Sequence, residues 1–170
     1  VNISDYKVET DLDDTFTDAT LSIEAEIYNS TTNDVESSFY SLDVRLVDAE
    51  GNSVFEIDPL QRAVGAIPSG EVTNVSISRE VIAPHLWSDE DPYLYTLIIS
   101  LYDKNGVYYG SIAQQLGFRE ITFTPTKGTS PNSDKYDIMM LNGKPLVYKG
   151  VNRHETSPDT GKYVSHASPG

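Results

Sequence analysis

The sequence predicts an all-β chain folded as an antiparallel sandwich, on three observations. Apolar residues recur at period two, turn residues punctuate these runs at short intervals, and no long segment carries helical periodicity. Leu21, Ile23, Ala25 and Ile27 alternate with Ser22, Glu24 and Glu26, which reads as a strand with one buried face. Leu42, Val44 and Leu46 repeat that pattern against Asp43 and Arg45. After the Glu50-Gly51-Asn52 turn, Val54, Phe55 and Ile57 predict a shorter, less regular strand. Pro68-Ser69-Gly70 then introduces a strand through Val72, Val75, Ile77 and Val81. Leu97, Ile99 and Leu101 form the next. It turns at Lys104-Asn105-Gly106 and returns through Val107 to Ile112, because Asn-Gly tolerates the positive φ of a tight hairpin. A first strand over residues 6–12 completes the set, with an acidic outer side. The expected core is aliphatic, joined by Phe39 or Tyr40 and by Trp87.

Length and charge limit what such a chain does. With 170 residues there is room for one sandwich and a short extension, whereas a complete (β/α)₈ barrel takes roughly 250. A formal charge of −14 repels phosphate backbones and argues against a nucleic-acid partner. No basic amphipathic stretch suggests docking to a membrane, and no apolar run approaches a span. Cysteine is absent, which removes disulfides, thiolate metal sites and thiol nucleophiles together without fixing the compartment.

The character of the chain changes after Phe123. Residues 1–123 read as the sandwich. Residues 124–135, rich in Thr, Ser, Pro, Gly and Asn, read as a linker. Residues 136–170 form a second small unit. In it, residues 136–141 and 146–148 flank Asn142-Gly143 as a hairpin, residues 151–154 make a new strand and residues 157–161 a loop.

Specific motifs run through the second half. Pro84-His85-Leu86-Trp87-Ser88 and Pro92-Tyr93-Leu94-Tyr95 come first, followed by Gly117-Phe118-Arg119. Leu141-Asn142-Gly143-Lys144-Pro145-Leu146 and Lys149-Gly150-Val151-Asn152-Arg153-His154-Glu155 follow. In that order and spacing they resemble the β-galactosidase and β-glucuronidase group, family two of the glycoside hydrolases. The resemblance implies an immunoglobulin-like domain running into the hairpin and first strand of a truncated (β/α)₈ barrel. The sequence stops about where the first barrel helix is expected, and Pro169-Gly170 reads there as a helix breaker.

Each conspicuous residue has a plain reading beside a functional one. Trp87 could be a stacking platform for a sugar ring, or it caps the core or packs on a neighbouring domain; the structural role is favoured. Arg119 could bind a carboxylate substrate; the structural alternative has it tie the last sandwich strand to the barrel through a bidentate ion pair. Gly117 permits close approach beside Phe118. His154-Glu155 lacks the second histidine of a zinc helix, since position 158 is proline. Taken alone it reads as a surface pair. Asp11, Asp13 and Asp14 lack the glycine and terminal glutamate of a calcium loop, and the glycosylation triplets at Asn2, Asn29 and Asn74 carry little weight.

The resemblance implies more for this last motif. The histidine matching His154 lies at the carboxyl end of the first barrel strand and lines the sugar subsite, with Asn152 beside it. Arg153 and Glu155, like Trp87, Gly117, Phe118 and Arg119, are implied to be structural. Retaining glycosidases work with two carboxylates about 5–5.5 Å apart. In the family both are glutamates on later barrel strands, and neither motif occurs here. The expectation is therefore a structural accessory domain of a β-galactosidase-like hydrolase, with no catalytic and no metal-ligating residue of its own. The parent would act on a β-glycoside. Its catalytic barrel and sugar-binding domain would be this segment's partners, and an uncovered tail would be free to self-associate. No cofactor is expected in the segment, and a divalent or monovalent metal is left open for the parent. The alternative is an autonomous carbohydrate-binding sandwich, which usually gathers aromatics on one face. The many tyrosines here fall without one clear face.

Overall fold

The computed structural model describes residues 1–56, 59–125, 137–148, 150–152 and 161. One sheet is built from β1 (Asn2–Leu12), β2 (Ala19–Tyr28) and β5 (Val72–Val81), in the order β1-β2-β5. The second holds β3 (Tyr40–Val47), β4 (Leu60–Ala63), β6 (Tyr95–Asp103) and β7 (Tyr108–Leu116), in the order β4-β3-β6-β7. Every pairing is antiparallel. The chain crosses between the sheets after β2, β4 and β5. These crossings make the Greek-key sandwich that the alternation predicts.

Alternation sets the core. Leu21, Ile23, Ala25 and Ile27 of β2 are buried, as are Leu42, Val44 and Leu46 of β3 and Leu97, Ile99 and Leu101 of β6. Tyr40 is buried and Phe39 packs half-buried beside it. Trp87 stays outside the core cluster and is half-buried. One end is closed by Val64 and Ile67, with Ile67 bridged to Val35. Buried Asn29 ties that end. Its Nδ2 donates to the carbonyls of Asn33 and Ile67, and its Oδ1 accepts from the amide and hydroxyl of Thr31. Asn29 thus has no free amide for a glycan in the folded chain.

Two local expectations are corrected. Val54 and Phe55 form no strand. The Asp48 carboxylate accepts from the amides of Glu50 and Asn52 at 3.0 and 2.7 Å, and the chain turns back with Val54 N–H on Leu46 C=O. Phe55 is then buried from a loop, and Ile57 lies outside the described residues. The sheet edge is taken instead by β4, whose Leu60-Gln61-Arg62-Ala63 packs only Leu60 against the core and so lacks apolar alternation. Thr124 and Pro125 belong to a strand and not to a linker. They end β8 (Ile121–Pro125), which pairs with β9 (Asp137–Leu141) in a third sheet completed by β10 (Lys144–Pro145).

Candidate functional site

Residues 82–94 form a strap across the end of the sandwich where β6 starts and β7 finishes. Ala83, at φ 44°, donates its amide to the Asp18 carboxylate at 2.8 Å, which fixes the entry. Leu86 pairs with Phe118 in a parallel bridge, and Trp87 N–H donates to Phe118 C=O at 2.9 Å. Phe118 is fully buried and meets Tyr95 edge-on at 5.2 Å; Tyr95 meets Tyr93 at 5.0 Å. His85 stacks flat on Tyr93 at 4.2 Å, and its Nε2 lies 2.7 Å from Asp91 Oδ2. Burial raises the Tyr95 hydroxyl above its ordinary pKa, so it stays protonated and accepts the His85 amide at 2.8 Å. This run of rings holds the strap as one rigid piece.

Trp87 is boxed in by its neighbours. A Cβ on Gly117 would come 2.9 Å from Trp87 Cβ and 3.0 Å from its Cγ, so only glycine fits there. The Arg119 guanidinium lies 4.5 Å from the indole centroid, a cation–π contact over the face a sugar would need. The ion pair expected of Arg119 is with the barrel, whose residues beyond Asn152, Gly161 apart, lie outside the described ones. Among the described residues Arg119 forms none, and its partner is the aromatic ring of the strap.

The third sheet docks on this strap through its turn. Asn142 and Gly143 take φ values of 48° and 73°, as a tight hairpin turn requires. Asn142 N–H donates to Glu120 C=O at 2.9 Å, and Asn142 Oδ1 accepts Glu120 N–H at 2.9 Å. Its Nδ2 donates to Trp87 C=O at 3.0 Å. A Cβ on Gly143 would sit 2.5 Å from Phe16 Cε2, so the turn lies directly on that ring. Phe16 itself holds φ 54°, a left-handed conformation costing about 1–2 kcal/mol for a residue with a Cβ. Beside this contact runs a groove of about 770 Å³, with Phe16, Leu86 and Asp89 on one side and Leu141, Lys144 and Leu146 on the other.

The structure thus brings Trp87, Gly117, Phe118 and Arg119 together. It also adds Asn142 and Phe16, which the sequence reading passed over. Asn142 is legible only as a turn residue, and nothing in the sequence places Phe16 against Gly143, 127 positions apart (143 − 16 = 127). Val151 and Asn152 are exposed, while the rest of the strand expected over residues 151–154, with Arg153, His154 and Glu155, lies outside the described residues. Ile121, Phe123, Val147, Tyr148 and Val151 expose 48–89% of their surface, an apolar run along the third sheet and the chain beyond it. No described group of three or more His, Asp or Glu is arranged to hold a metal. Asp13 is already committed, accepting from the Thr15 hydroxyl and from the Thr17 and Asp18 amides; these bonds lower its pKa. It is a turn cap, unsuited to holding a cation.

Comparison with known proteins agrees along the chain. The family model for Glycosyl hydrolases family 2 matches residues 1–119, and that for the family 2 TIM barrel domain matches residues 134–168. The beta-galactosidase of Halalkalibacterium halodurans is 33% identical over 165 residues, covering 97% of this chain and 14% of that protein. The beta-galactosidase of Psychromonas ingrahamii is 31% identical, over 98% of the chain and 15% of its own length. The chain therefore spans about one seventh of the curated relatives it matches. Among solved structures, Bacteroides uniformis beta-glucuronidase superposes with a TM-score of 0.69 at 23% identity, over 94% of this chain and 17% of that one. A calcium binding mutant of Bacteroides uniformis beta-glucuronidase 2 superposes at 0.68 and 23%, over 92% and 17%. At that identity the likeness is one of fold.

Proposed function

The chain belongs to glycosyl hydrolase family 2, and on that premise we propose that it is the segment that braces the catalytic barrel of a β-galactosidase-like hydrolase. One observation carries this reading. Asn142, within the residues matched as barrel domain, bonds Trp87, within those matched as the preceding domain, and Glu120 between them. Three hydrogen bonds of 2.9–3.0 Å from one residue fix both the position and the angle of the turn. The sandwich of β1 to β7 is the rigid base. The hairpin is the start of the barrel, held on that base, and the exposed Phe123, Tyr148 and Val151 are surface for the barrel to cover. The sugar-binding domain of the parent is its other neighbour.

In the parent, a retaining two-carboxylate reaction on a β-glycoside fits the family, with His154 and Asn152 lining the sugar subsite. The acid and the nucleophile would come from other parts of that enzyme. The isolated chain is then inert toward glycosides. An activated aryl β-galactoside incubated with the purified 170-residue chain should show no turnover, and activity that tracks the chain through every column would defeat the proposal. The scattered aromatics also favour a brace over an autonomous sugar-binding module. Tyr93 and Tyr95 are locked in the strap, while Tyr102 and Tyr108 meet at the far end of the second sheet. Galactose titrated in by NMR should leave all of them unshifted.

A further inference from the structure

The two open sides of the sandwich differ. Where β1 faces β7, the Tyr6 hydroxyl donates to Gln114 Oε1 at 2.9 Å and closes the gap. Where β5 faces β4, the gap stays open, because β4 has four residues against ten in β5. A cleft of about 600 Å³ remains, lined by Ile23, Leu60, Arg62, Ile77 and Arg79, with serines at its rim.

Both arginines occupy positions that elsewhere belong to the core. Arg62 stands opposite Leu42 and Arg79 opposite Leu21, and both leucines are buried. The pleat therefore sends each arginine to the inner side of its strand. Because β4 and β5 are edge strands, the guanidinium groups end in the open cleft instead of the core. The chain carries 26 acidic residues and 12 basic ones. Yet neither Arg62 nor Arg79 forms an ion pair among the described residues. The acid on the lining is Glu24, which stands opposite Lys7 in β1 on the outer face of the sheet. As edge strands, β4 and β5 also keep part of their backbone N–H groups unpaired toward this side. The cleft thus gathers two forked cations and amide donors, with a short apolar floor. The rim serines Ser22 and Ser78 lie on the outer face and bond each other at 3.3 Å.

We infer that the cleft between β4 and β5 is an oxyanion-binding site, taking a carboxylate or phosphate group between Arg62 and Arg79. Guanidinium groups suit that chemistry because their paired N–H bonds match two oxygens of one anion. The cleft shares no lining residue with the groove beside the hairpin, and the inference does not rest on the proposed brace.

The test is a titration of the whole chain with inorganic phosphate and, separately, with acetate, at constant ionic strength, reading the Arg Nε–H signals by NMR. Galactose serves as the neutral control. Saturable shifts of Arg62 and Arg79 at millimolar anion are expected, and the two arms distinguish phosphate from carboxylate as the preferred group. Arg62→Gln and Arg79→Gln, each at an exposed edge position, should each weaken binding about ten-fold, the worth of one charge-assisted contact. Thermal melts establish that both variants are folded. Shifts that rise linearly without saturation, saturate equally in the glutamine variants, or appear with galactose would overturn the inference. The arginines would then serve only to guard the sheet edges against strand addition.

Discussion

The sandwich and the third sheet use the same strand chemistry to opposite effect. Along β6 each inward residue from Tyr95 to Asp103 is buried, and β3 and β7 pair with it on its two sides. In the third sheet only Leu141 is buried, while Ile121 and Phe123 expose 48% and 61% of their surface. The sandwich has two sheets to share one core, so its apolar faces satisfy each other. The third sheet has one layer, and part of its apolar surface stays exposed. What it does have is a latch, in which Asn142, Gly143 and Phe16 hold its turn on the strap. The sandwich and the third sheet are thus joined by polar and steric contacts, with little shared core.

The strongest way to break that contrast is Phe118→Ala, because Phe118 anchors the strap on which the hairpin docks. It is fully buried in the sandwich and hydrogen-bonds Trp87 through its carbonyl. Removing such a ring costs about 3–5 kcal/mol. Urea unfolding should show the whole sandwich destabilised, and a loss below about 1 kcal/mol would place the seam outside the cooperative core. Gly143→Ala sharpens the contrast from the other side. The new methyl would meet Phe16 at 2.5 Å, and overpacking of this kind costs about 1–3 kcal/mol. That cost should fall on the hairpin alone. Hydrogen exchange at Met140 and Leu141 should speed up while the urea midpoint of the sandwich stays put.

Asn142→Ala is expected to be milder, about 1 kcal/mol, since its partners lie partly within reach of water. It should loosen the same hairpin amides as Gly143→Ala, and unchanged exchange there would remove Asn142 from the latch. The smallest effect is on pH. Burial, followed by a hydrogen bond with Tyr109, pushes the Tyr40 hydroxyl up from 10.0 to about 12. A group whose folded pKa is raised contributes its full stability below the unfolded pKa and loses it as pH rises through the folded value. Stability should therefore decline between about pH 10 and 12. Tyr40→Phe should flatten that limb while leaving the neutral-pH midpoint nearly unchanged, with the third sheet indifferent to the substitution.

The sandwich was legible because period-two alternation is a local property, and β2, β3 and β6 carry it almost unbroken. Where one face meets a full core, sequence and burial say the same thing. The reading failed where burial came from elsewhere. Phe55 looked like a strand residue because it is apolar, yet a loop capped by Asp48 carries it into the core. β4 went unseen because an edge strand with one packed residue has no rhythm to detect. Pro125 looked like linker, and its pairing with Asp137 depends on a strand that begins 12 residues later (137 − 125 = 12).

The sequence by itself determined the strand rhythm, the Asn142-Gly143 turn, the absence of disulfides and the motif order that led to the family. Each follows from neighbours along the chain or from composition. Only the tertiary structure decided that Arg119 lies on an indole, that Phe16 supports a glycine from the far end of the chain, and that Arg62 and Arg79 share one cleft. Those pairings depend on which strands become edges and how the sheets stack. Sequence periodicity gives the face a residue takes, but not what lies across from it.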